Sequence, residues 1–121
     1  MPLFLYKNKR LVMELHIKDR LLIPSMLPEK NGFLEFNLKK SIIKKIAITE
    51  KDKEEYSIAE KTENGRIEWN AQKDIEVPLV VDFSKEELAY LKKSCESLSE
   101  QEMPDEIWVI AEKIYDAAQE S

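Results

Sequence analysis

At 121 residues, 43% apolar and 36% charged, the chain has the length and composition of one folded domain (1–121), and two glycines and five prolines exclude a low-complexity linker. One cysteine excludes an internal disulfide and a cysteine-based zinc site, and it suits a reducing compartment. No run approaches the roughly 20 apolar residues that cross a bilayer, and in MPLFLYKNKR the basic residues follow the apolar run instead of preceding it as in a secretory signal. The expected location is the cytoplasm. The net charge of −5 is unevenly spread, with ten basic and four acidic side chains in residues 1–45 and nine basic and 20 acidic ones beyond. Such asymmetry marks either a nucleic-acid face or two halves that attract one another, within the fold or between subunits.

In chain order, Leu11, Met13, Leu15 and Ile17 alternate with Glu14, His16 and Lys18, the pattern of a half-buried strand over 11–17. Met13 is a second candidate start, which would make residues 1–12 a dispensable leader. After Asp19 as N-cap, RLLIPSML predicts a short helix with Pro24 kinking it or marking its late start, and Pro28 closing it. KNG at 30–32 is a loop. In FLEFNLKKSIIKKI, residues Leu34, Leu38, Ile42 and Ile46 fall near one line of a helix that Phe36 and Ile43 broaden. Thr49 and Asp52 resemble a capping pair, giving TEKDKEEY one or two helical turns.

The Asn64-Gly65 pair tolerates the positive φ angles of a type I′ turn, so residues 56–60 and 66–70 are expected to form a hairpin with Ile67 or Trp69 facing the core. DIEVPLVVDF predicts a strand over 75–83, an edge or a broken one at Pro78. Ser84 and Glu87 make a capping box for a helix with Leu88, Leu91, Cys95 and Leu98 on one face. Pro104, Asp105 and Glu106 open a last helix whose apolar face carries Ile107, Ile110, Ala111 and Ile114. Trp108 and Tyr115, seven residues apart, form a second apolar strip on it. The expected fold is α+β, a small antiparallel sheet with a hairpin at 56–70 packed against about four helices.

Catalytic groupings are absent from the sequence. His16 is the only histidine, and with Glu14 it makes at most two metal ligands; a solitary surface histidine is the plainer reading. Cys95 sits on an apolar stripe, where it acts as a small hydrophobe. There is no GxGxxG, Walker loop, GxSxG or HExxH. The expectation is a non-enzymatic protein without cofactor or metal. Lysines in LKKSIIKKI raise nucleic-acid binding as an alternative. A strand, two helices and a hairpin follow the winged-helix order, with Lys40 and Lys44 on the outer face of the 34–46 helix and Lys61 and Arg66 on the 58–70 hairpin. The helix has no arginine and only Asn37 as an outward amide, so base-reading side chains are nearly lacking. Trp108 and Tyr115 are either core or a docking face for a partner, a second copy included.

The run DRLLIPSMLPEKNGFLEFNLKKSIIKKIAITEKDKEEYSI, followed by GRIEWN and an acidic-capped helix, resembles a family of short bacteriophage- and prophage-encoded proteins. The resemblance spans about Met13 to Leu98. It implies a phage or mobile-element gene and supplies no catalytic residue. The resulting expectation is a protein-interaction protein that forms a homodimer or small oligomer through its C-terminal helix, Trp108 and Tyr115 included.

Overall fold

The computed structural model describes residues 5–7, 10–61 and 65–119, with the side chains of residues 5–7, 10–12 and 61 left out of account. Chain order is β1 (Leu5–Lys7), β2 (Arg10–Leu15), α1 (Ile17–Met26), α2 (Phe33–Ile46), α3 (Glu50–Glu55), β3 (Ala59–Lys61), β4 (Arg66–Glu68), α4 (Ala71–Glu76), β5 (Leu79–Phe83), α5 (Lys85–Leu98) and α6 (Asp105–Gln119). The α+β class is as expected, with four longer helices and two of six residues. The strands form two antiparallel sheets, β1-β2-β5 and β3-β4, instead of one. β1 comes from the segment read as a leader and pairs Leu5 with Val12.

Alternation along β2 and β5 decides which sheet face is covered. Met13 opposes Val81, Leu15 opposes Leu79, and Glu14 opposes Val80. Met13, Leu15, Val81 and Phe83 are buried under the helices, while Glu14 and Val80 are exposed on the other face. Ile23 and Met26 of α1, Ile42 and Ile46 of α2, Leu88 and Leu91 of α5, and Ile110 and Ile114 of α6 complete this core. β5 is an edge strand that begins directly after Pro78, so the missing N–H interrupts no ladder bond.

Three expectations change at element ends, each because a polar side chain satisfies helix N–H groups. The strand ends at Leu15 and α1 begins at Ile17, with His16 and not Asp19 at the N-cap. Asp19 accepts from the His16 backbone N–H at 3.0 Å, and buried Asp74 accepts from that of Ile17 at 3.0 Å. Pro24 lies inside α1. Residues 75–76, expected to open the strand, belong instead to α4, which Asn70 caps by accepting from the Lys73 N–H at 3.1 Å. The strand is thereby confined to 79–83.

The hairpin exists, but its register is not that of a two-residue turn. Lys61 opposes Arg66 and Glu60 opposes Ile67, whereas a turn centred on residues 64–65 would set residue 63 against 66. Gly65 is exposed with φ of +67°, the left-handed conformation expected of it; Asn64 lies outside the described residues. Ile67 is exposed and Trp69 half-buried, and neither joins the core, because the two-stranded sheet does not stack on the main one.

Arg20, 4% exposed, locks the helix layer together. Its Nε donates to the Ile46 carbonyl at 3.0 Å and its Nη2 to that of Ala47 at 2.7 Å, capping the C-terminal end of α2. The same Nη2 reaches Asp52 at 2.7 Å. Asp52 also accepts from the Thr49 N–H, and Thr49 Oγ1 accepts from the Asp52 N–H, closing the box that starts α3. Burial pushes the Asp52 pKa up, but the Thr49 and Arg20 hydrogen bonds outweigh it and hold it below the ordinary value.

A second polar cluster joins α2, β5 and α5. Glu87, 2% exposed, accepts from the Ser84 N–H at 2.7 Å, from Ser41 Oγ at 2.7 Å and from Lys45 Nζ at 2.5 Å. Lys45 donates again to the Asp82 carbonyl at 2.9 Å. Desolvation raises the Glu87 pKa, yet Lys45, Ser41 and Ser84 together bring it below the usual carboxylate value.

Candidate interaction site

The four lysines of LKKSIIKKI divide by position. Lys45 is committed to Glu87, and Lys39 donates to the Pro28 carbonyl at 2.7 Å. Lys40 and Lys44 are exposed on the outer face of α2, where the spacing places them. That face is less polar than expected. Phe33 and Leu34 are each 78% exposed and Phe36 and Ile43 are exposed as well, so the stripe expected to be core is buried only at Ile42 and Ile46. At 100° per residue, Phe33, Phe36, Lys40, Ile43 and Lys44 share one arc, and Lys40 Nζ lies 5.2 Å from the Phe36 ring centre.

The winged-helix arrangement is not assembled. Its hairpin would lie against the strand that precedes the helices, whereas among the described residues β2 pairs with β1 and β5, and β3 pairs with β4. Lys61 and Arg66 do face one another across the hairpin ladder.

Trp108 and Tyr115 lie together, half-buried, along a groove of about 460 Å³ between α5 and α6. Its floor is Cys95 and Ala111, and its rim carries Glu96, Ser99, Glu112 and Asp116. Both aromatic side chains pack one edge on the core and leave the other to the groove. The Lys92 ammonium sits 5.7 Å from the Tyr115 ring centre. The Cys95 thiol donates to the Ala111 carbonyl at 3.5 Å, and burial pushes its pKa up to about 11, which leaves the sulfur a thiol at neutral pH. The acidic rim was missed in the sequence. Glu112 and Asp116 follow Trp108 at helical spacing and were legible there; Glu96 arrives from α5 through tertiary packing.

His16 is taken up by the fold. Its Nδ1 lies 3.3 Å from the Asp74 carbonyl oxygen and 3.7 Å from Asp74 Oδ2. Among the described residues no three His, Cys, Asp or Glu side chains gather as a metal site, and no helix is long and apolar enough to cross a membrane.

Fold and groove thus define a small α+β chain with an acid-rimmed aromatic groove on one helix pair and a lysine-aromatic face on another helix. No protein-family model, curated protein or solved structure matches the chain.

Proposed function

We propose that this chain is a non-enzymatic interaction protein that works through protein contacts, with the α5/α6 groove as its binding site. The observation that carries the reading is the half-exposure of Trp108 and Tyr115 side by side over an apolar floor. Aromatic anchors of this kind contribute most of the energy in many interfaces, and the carboxylates of Glu96, Glu112 and Asp116 select basic partners at the rim. Self-association through the C-terminal helix belongs to the same reading. A phage or prophage setting rests on the resemblance over Met13 to Leu98, and neighbouring head, tail or replication genes would support it.

Trp108 fluorescence tests the groove directly, in a Trp69→Phe background that leaves one tryptophan. Two helical peptides of one design, one of leucine and lysine and one of leucine and glutamate, serve as probes. The lysine peptide shifts the emission saturably and the glutamate peptide does not. Equal response to both, or response to neither, counts against the site.

DNA binding through α2 is the second reading, favoured by the shared exposure of Lys40 and Lys44. A gel shift that is salt-sensitive and abolished by Lys40→Glu/Lys44→Glu would place it first.

A further inference from the structure

We infer that the occupant of the α5/α6 groove is a second copy of this chain, which presents the outer face of its α2, so that two copies clasp each other reciprocally. This inference rests on the reading of the groove as a protein-contact site and names its partner.

The two surfaces are chemical complements. The groove offers Trp108 and Tyr115 with Glu96, Glu112 and Asp116 around them. The α2 face offers Phe33, Phe36 and Ile43 with Lys40 and Lys44 among them. Each surface alone leaves large apolar side chains partly in water; the groove rim carries three carboxylates beside the Lys92 ammonium, and the α2 face carries two lysines. Joined, the rings bury one another while lysines meet carboxylates at the rim, where charge sets orientation and partner choice.

The two surfaces belong to different helices, so one copy offers both at once. α5 lies between α2 and α6, and adjacent lysines on α5 reach each neighbour: Lys93 pairs with Glu35 of α2 at 2.9 Å, and Lys92 lies over Tyr115 of α6. The Phe33, Phe36 and Lys40 arc of α2 turns away from α5, whose partners on α2 are Glu35, Ser41 and Lys45, so the two surfaces look to different sides of the molecule. A two-fold exchange that seats each copy's α2 face in the other copy's groove would close at two copies without leaving either surface open. The same complementarity without closure would generate filaments.

Charge reversal on exposed residues tests the pairing. One variant carries Lys40→Glu and Lys44→Glu, another Glu112→Lys and Asp116→Lys, and a third carries all four changes; all four positions are exposed, so the fold tolerates them. Sedimentation velocity is run at concentrations on the order of 100 μM, where weak homodimers populate. The expected result is a dimer for the unaltered chain, monomers for each double variant alone, and recovered dimer both for their equal mixture and for the fourfold variant. A monomeric unaltered chain overturns the inference, as does assembly that survives both double reversals, or a mixture that stays monomeric. If the chain is monomeric while the lysine peptide still shifts Trp108, the groove stands and its partner is foreign. If the peptide is silent too, the groove reading falls with it.

Discussion

α2 and α5 are neighbours of equal length, and they use their apolar residues in opposite ways. Both span 14 residues; α5 buries seven of them and α2 only Ile42 and Ile46. α5 is wedged between α2 and α6, so Leu88, Leu91, Cys95 and Leu98 are covered by the core. α2 is fixed at its C-terminal half by Arg20 and by the Glu87 cluster, while Phe33, Leu34 and Phe36 at its other end stand in water. Apolar content alone therefore does not state burial. The polar bonds locate the half of α2 that belongs to the core, and the surplus on its other half calls for a partner.

The comparison is broken most severely at Arg20. Arg20→Ala leaves two α2 carbonyls uncapped and Asp52 without its cation, at an expected cost of roughly 3–5 kcal/mol in urea unfolding. A loss below about 1 kcal/mol would show that Arg20 does not hold the helices together. Ile42→Ala is next, at about 2–5 kcal/mol, against a change within about 0.5 kcal/mol for Phe33→Ser on the same helix. Equal costs for the two would erase the distinction between the halves of α2. Ser84→Ala removes the α5 cap and is expected to cost about 1 kcal/mol.

A pH titration sharpens the contrast further. The native pKa values of Glu87 and Asp52 lie below their ordinary values, so the folded chain binds fewer protons there than the unfolded one. Their contribution is fully present above the ordinary carboxylate range and is lost as pH falls through the lower native values. Thermal melts should show that acid loss, and Glu87→Gln should flatten it while lowering stability at neutral pH. A Glu87→Gln chain with an unchanged acid profile would remove Glu87 from the account.

What the sequence revealed depended on range. The bounds of α2, the Thr49 and Ser84 boxes and the Pro104 start of α6 rest on residues within a turn of each other, and they stand as read. DIEV alternates like a strand, and what makes residues 71–76 helical is local Asn70 together with Asp74, whose bond to Ile17 crosses 57 positions. The failure of Trp69 to reach the core goes with the separation of the two sheets, and no local pattern encodes that separation. Trp108 and Tyr115 were legible as a strip from their spacing. The groove they border needed α5 beside them.

Light scattering tests the interaction account most directly, with the unaltered chain compared against Trp108→Ala and against Glu112→Lys/Asp116→Lys, and melting curves recorded for each. The account predicts a mass rising with concentration from 14.2 kDa toward twice that value. Both variants should stay at the monomer mass, and at a dilution where both chains are monomers the exposed charge variant should melt as the unaltered chain does. A mass of 14.2 kDa at every concentration together with a Trp108 signal unmoved by the lysine peptide, or a larger mass that both variants retain, would contradict it.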